Sequence, residues 1–289
     1  MCEHDDLDEF ARRSGDLTRR AFGAMALGAG FAAAWPRLAN AAETRGKDID
    51  IRTPDGMADA YFVHPARGVH PGILVWPDIF GLRPAFKDMA TRLAQSGYAV
   101  LVINPFYRIQ RAPTAPAHAD FNDPATRQAL MKMAGTLSAM TAVIDAQSFV
   151  GYLDRHPAVD PNRRMGTTGY CMGGPFVLRT AATFSDRIGA GATFHGGGLV
   201  TDKPDSPHLL IAEMKSQCLM AIAESDDQKE PQSKTVLRDA FAKAGLPAEI
   251  EVYAGTQHGW CPPDAPVYNH DQAEKAWSRQ LALFSNALA

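Results

Sequence analysis

The spacing of apolar side chains changes period along the 289-residue chain, and those changes predict its elements. Residues 48–64 alternate apolar and polar side chains about Asp55-Gly56, a pair suited to a tight reversal. Two antiparallel strands are therefore expected near 48–53 and 57–63. Gly72–Trp76 is a short continuous apolar run closed by Pro77, the pattern of a strand buried on both faces. From Pro84 the period lengthens. Phe86, Met89, Ala90 and Leu93 recur at helical spacing as far as Gln95, with proline in the first turn and Gly97 beyond the end.

A second buried strand is predicted over 98–103, followed by a Pro- and Ala-rich loop over 104–122. A loop of that length inside a folded domain is usually functional. Residues 124–155 carry helical spacing with a break at 133–138. Further strands are predicted over 165–170, 188–194, 219–223 and 249–253. Helices are predicted over 172–183, over 232–243 with Gly245 as its stop, and over 271–288. The last carries Ala273, Ala276, Trp277, Leu281 and Phe284 on one face, with His270-Asp271 read as its cap. Strands alternating with helices imply an α/β architecture, a mostly parallel central sheet with helices on both faces. One domain is expected over 42–289.

The first 41 residues read as an address. Thr18-Arg19-Arg20-Ala21-Phe22 precedes a weakly apolar run rich in Ala and Gly, and Ala39-Asn40-Ala41 follows. This resembles a twin-arginine export signal cut after Ala41. The expected partner is the twin-arginine export machinery, and the expected location is the periplasm or the exterior.

Composition adds exclusions. A formal net charge of −3 leaves no basic footprint for nucleic acid or an acidic membrane surface. No apolar run beyond the N-terminal segment is long enough to span a bilayer, so no membrane association is expected after cleavage. The four cysteines, Cys2, Cys171, Cys218 and Cys261, form neither a CxxC nor a cluster with His at zinc spacing. No metal and no cofactor are expected. Loss of the leader removes Cys2 and leaves an odd number, which fits one free reactive thiol. The oligomeric state stays open, with a monomer as the expectation.

The candidate chemistry centres on Gly169-Tyr170-Cys171-Met172-Gly173. It fits the G-x-S-x-G nucleophile elbow with cysteine in place of serine, between a predicted strand and a predicted helix. Glycines keep side chains out of so sharp a turn, and the helix that follows aims its free N–H groups at the sulfur. A working cysteine also needs a base and a group that orients the base. Asp226 follows the strand predicted over 219–223, and His258 follows the last strand, in the chain order nucleophile, acid, base. Asp227 and Glu224 are the alternative acids. His64, His70, His118, His156, His208 and His270 do not end a strand, whereas His195 does and is a candidate substrate contact. Phe80, Phe106, Tyr107, Trp260 and Tyr268 are expected to line the pocket.

With these residues placed, the chain from about residue 48 onward resembles the dienelactone hydrolase family of α/β-hydrolases. The resemblance rests on residues 169–174, Asp226, Gln257-His258-Gly259 and Asp78-Ile79-Phe80-Gly81-Leu82. It implies hydrolysis of a lactone or activated carboxylic ester, a small-molecule substrate, through a cysteine acyl-enzyme. Cys171 would be nucleophile, His258 base and Asp226 orienter, with the main-chain N–H groups of Ile79 and Met172 as the oxyanion hole. Asp78 stands where the family has a glutamate that meets the resting thiol, and is expected to modulate it. Tyr107 matches a family tyrosine, and Arg108 or Arg83 would meet a substrate carboxylate. Two other classes compete: a periplasmic thiol-redox protein pairing Cys171 with Cys261, and a non-catalytic binding protein on the same fold.

Overall fold

The sheet of eight strands runs in the order β1-β2-β4-β3-β5-β6-β7-β8. The structure, a computed structural model, describes residues 41–289. The expected export signal lies outside the described residues, apart from its last position. Strands β1 (Thr44–Thr53) and β2 (Gly56–Pro65) form the antiparallel hairpin, turning at Asp55-Gly56 with Gly56 at φ +140°. β2 then pairs antiparallel with β4 (Ala99–Ile103). From β4 through β3 (Gly72–Trp76), β5 (Met165–Tyr170), β6 (Ile188–Phe194), β7 (Gln217–Ala223) and β8 (Ala248–Tyr253) every pairing is parallel.

β3, β4, β5 and β6 are buried at every position, which is why their sequences are continuous apolar or small runs rather than alternating ones. The helices cover them. α1 (Pro84–Gln95) buries Phe86, Met89 and Leu93, each contributing roughly 1.5–3 kcal/mol of burial free energy. α2 (Pro124–Ala134) and α3 (Ala139–Arg155) are separate helices; Ser138 and Thr141 cap α3 reciprocally, so the expected break falls there. α4 (Gly174–Thr183) follows a 3-10 turn over Cys171–Gly173. α5 (Glu224–Lys229), α6 (Ser233–Ala244, stopped by Gly245 at φ +67°) and α7 (His270–Ala287) complete the set among the described residues.

Several boundaries differ from the sequence expectation. β1 begins at Thr44 rather than 48, because the exposed edge Thr44–Lys47 pairs with β2 through its backbone and needs no apolar alternation. The 3-10 segment Pro207–Glu213 was not expected. Asn269, not His270-Asp271, caps α7: its side chain accepts from the Gln272 N–H at 3.3 Å. Asp226 lies in the first turn of α5 rather than in open loop.

Candidate active site

The ends of β3, β5, β6, β7 and β8 bring the site together at the carboxyl edge of the sheet. Cys171 sits at the turn out of β5 with φ +51°, a left-handed backbone that costs a non-glycine residue on the order of 1–3 kcal/mol. The flanking glycines permit it. A Cβ on Gly169 would lie 2.3 Å from the Gly173 carbonyl oxygen, and one on Gly173 would lie 2.3 Å from that of Trp76. The side chain is left half-buried, with a free thiol.

His258 follows β8 and reaches Cys171: its Nε2 lies 3.0 Å from Sγ, and its Nδ1 lies 2.8 Å from Asp226 Oδ2. Of the three acids considered, the contacts select one. Asp227 is bonded by Lys234 Nζ at 2.6 Å, and Glu224 accepts from the Gly255 N–H at 3.1 Å. Burial pulls the His258 pKa down. Its bonds to Asp226 and Cys171, with the charges of both, outweigh that and push it up to about 10.

Two residues that the sequence analysis did not single out hold this arrangement. Thr256 Oγ1 accepts from the Glu224 N–H at 3.1 Å, and its carbonyl accepts from the Ser225 N–H at 3.2 Å. Ser225 Oγ accepts from the His258 N–H at 2.9 Å. The loop bearing Asp226 is thus sewn to the loop bearing His258. Hydroxyl residues just after two neighbouring strands were the available cue.

His195 is where a strand end should put it, at φ +41°, with its ring centroid 5.1 Å from that of His258 in an edge-to-face contact. It is buried, and no partner meets either ring nitrogen with hydrogen-bond geometry. Burial first, then the charges of His258 and Arg83, hold its pKa well below the ordinary histidine range, so the ring stays neutral.

Asp78, expected to modulate the thiol, directs its hydrogen bonds elsewhere than Cys171. Asp78 Oδ1 and Oδ2 take Arg83 in a two-pronged pair at 2.7 and 2.9 Å, and Oδ1 also accepts from the Phe80 N–H at 2.9 Å. Arg83 in turn donates to Asp264 at 2.7 and 3.0 Å. Burial opposes its charge, but the two carboxylates hold its pKa above the usual arginine value.

Arg108 and Tyr107 are likewise engaged elsewhere. Arg108 bonds Asp145 at 2.7 and 2.8 Å and Asp55 at 2.6 and 2.9 Å. The Tyr107 hydroxyl lies 2.8 Å from both Asp145 Oδ1 and Thr53 Oγ1. This network staples the loop after β4 to the β1–β2 turn and to α3, and turns both side chains toward carboxylates of the protein itself. Trp260 is fully buried against Tyr253, with ring centroids 4.8 Å apart, as part of the core rather than a pocket wall. Phe80 is only partly buried. With Ile79 and Met172 it packs on the buried group Phe106, Leu130 and Met133, so an apolar surface adjoins the elbow.

The profile of the Dienelactone hydrolase family matches residues 58–288. Carboxymethylenebutenolidase of Rhodococcus opacus is 27% identical over 244 residues, 82% of this chain and 90% of that protein. A Bradyrhizobium protein carrying the name probable 2-oxo-3-(5-oxofuran-2-ylidene)propanoate lactonase is 26% identical over 247 residues, 83% of this chain and 94% of its own. Among solved structures, a dienelactone hydrolase-like promiscuous phosphotriesterase from metagenomic libraries superposes with a TM-score of 0.69 at 21% identity, covering 86% of this chain and all 100% of that one. That likeness is one of fold, the α/β-hydrolase fold. The protein is a hydrolase and belongs to the dienelactone hydrolase family.

Proposed function

We propose that this hydrolase opens a lactone or activated carboxylic ester through a thioester on Cys171, with His258 as base and Asp226 as its orienter. The supporting observation is the unbroken line from Asp226 Oδ2 through the His258 ring to Cys171 Sγ, at 2.8 and 3.0 Å. The related carboxymethylenebutenolidase and the lactonase named above carry lactone substrates in their names, which favours the same class here.

In this reading the Cys171 thiolate attacks the substrate carbonyl carbon. The resulting oxyanion accepts from the main-chain N–H groups of Ile79 and Met172, donors of a kind worth about 3 kcal/mol of barrier each. The intermediate collapses, the carbon–oxygen bond breaks, and the leaving enolate or alkoxide takes the proton from His258. Acylated sulfur carries no charge, so the imidazole loses the support Cys171 gave its proton and can act as a base. It removes a proton from water, and the hydroxide cleaves the carbon–sulfur bond and regenerates the thiolate. A thiolate leaves more readily than an ordinary alkoxide. Lactones that release an enolate, and esters of acidic alcohols, are therefore the expected substrates, and amides are not.

Cys261 does not favour the redox alternative. It is buried and a free thiol, and burial raises its pKa well above the ordinary value, so it is held in the unreactive protonated form. The same proposal retains twin-arginine export to the periplasm or exterior, supported by the residue order Arg19-Arg20-Ala21-Phe22 and Ala39-Asn40-Ala41. The direct test of the chemistry is mass spectrometry of protein quenched during turnover of butenolides and p-nitrophenyl esters. An acyl mass on the peptide bearing Cys171 is expected. Equal turnover by Cys171→Ala and the parent protein would exclude the thioester route.

A further inference from the structure

Arg83 stands on the loop that follows β3, four positions past Ile79, and Arg108 on the loop that follows β4; each is a candidate receiver of an anionic group on a substrate. Arg83 has no donor to spare, and four of the five N–H groups of Arg108 are taken by Asp55 and Asp145. The five N–H groups of Arg83 all have acceptors, four on Asp78 and Asp264 and one on the Gly81 carbonyl. Its guanidinium also lies over the Phe80 and Phe86 rings, 5.5 and 4.8 Å from their centroids. Asp78, Arg83 and Asp264 together carry one net negative charge. Arg108 with Asp55 and Asp145 repeats that balance. The imidazolium of His258 is turned to Asp226 and Cys171. On the other side of the elbow the surface is apolar, with Ile79, Phe80 and Met172 packed on Phe106, Leu130 and Met133.

A carboxylate placed here would lose hydration against hydrocarbon, find no unoccupied guanidinium, and face clusters of its own sign. We propose that the Cys171 centre takes uncharged lactones or esters with an apolar acyl portion, and that Asp264, by occupying the outer edge of Arg83, is the residue that excludes carboxylate-bearing substrates. Asp264 suits that role because it sits at the solvent edge, its side chain 32% exposed, while Asp78 is buried beneath. Exclusion by an occupied partner is a repulsive element, and such elements set specificity as effectively as new attractive ones. The proposal rests on Cys171 being the nucleophile.

The test is a matched pair of alkylidene butenolides, identical except that one ends in a carboxylate and the other in a methyl group. Each kcat/KM is divided by that compound's own rate of hydrolysis by hydroxide, and the acyl adduct on Cys171 is followed by mass spectrometry. The parent protein is expected to prefer the methyl compound by tenfold or more. Asp264→Asn, with Asp264→Ser as a second variant should the first fold poorly, is expected to move that ratio at least threefold toward the carboxylate compound. The change should come through a lower KM for that compound, with kcat on the methyl compound unchanged. Equal rates, or a preference for the carboxylate by the parent protein, overturn the proposal whatever the variants do, and so does a ratio that a folded variant leaves unmoved. A Cys171 adduct with either compound shows that the nucleophile reading survives such a failure. No adduct and no turnover with both compounds would remove that reading, and this proposal with it.

Discussion

The main-chain N–H of His258 donates to Ser225 Oγ at 2.9 Å, so the residue just before Asp226 holds the backbone of His258. Asp226 and His258 are therefore aligned twice, once through their side chains and once through the loops that carry them. The second alignment makes the first cheap in entropy, because the ring needs only to keep its rotamer.

Ser225→Ala removes one half-buried hydrogen bond, worth about 1 kcal/mol. The expected result is a fall of roughly fivefold in kcat/KM on a p-nitrophenyl ester, with recovery in Ser225→Thr. The melting temperature should drop by only about 2–4 °C for a chain of this size. Steady-state kinetics beside a thermal scan distinguishes a lost alignment from a loss of fold.

Two histidines of the site respond to pH with opposite sign. The folded pKa of His258 is raised to about 10, above the unfolded value of about 6.5, so its contribution to stability is complete below 6.5 and is lost as pH rises through 10. His195 is held neutral by burial, so its contribution is complete above about 6.5 and is lost as pH falls, by at most about 1.4 kcal/mol per pH unit. Denaturant unfolding at stepped pH should show the acid-side slope flattened in His195→Asn and the alkaline-side slope flattened in His258→Gln. Identical slopes in all three proteins would contradict both assignments.

Arg108→Ala is expected to act on stability rather than on substrate binding. It strips the principal partner from Asp145, which is buried and whose pKa burial already raises against the pull of Arg108 and Tyr107. Removing one member of such a pair typically costs about 3–5 kcal/mol. Equilibrium unfolding should record that loss, while KM of the surviving folded enzyme for a neutral ester stays within about twofold. A large rise in KM without a stability change would return Arg108 to the substrate site.

Replacing Arg19 and Arg20 together by Lys is expected to leave the uncleaved chain in the cytoplasm, while the parent yields a mature protein beginning at Ala42. Fractionation followed by N-terminal sequencing reads both. Export of the double variant at the parental level would remove the twin-arginine reading without touching the catalytic one.

Sequence alone placed the strands and the longer helices, because period and punctuation are local properties; the short α5 and the 3-10 segment Pro207–Glu213 carry no such signal. Continuous apolar runs can only be satisfied inside a sheet, and Gly169 and Gly173 leave no room for another turn around Cys171. It also placed Cys171, Asp226 and His258 in that order, each just past a strand. Tertiary structure decided which carboxylate does what. The sequence order favours Asp226 with Asp227 and Glu224 as alternatives, and the contact with His258 forms once α5 packs against the loop after β8. Asp78 looked like a partner for the thiol, yet Arg83 claims it and joins it to Asp264, 181 positions away from that arginine. Arg108 looked like an anion receptor until Asp55 and Asp145 closed around it. An ion pair leaves no periodic trace in sequence. Its members are ordinary charged residues until the fold brings them within reach, and the cost of burying a charge then dictates who pairs with whom.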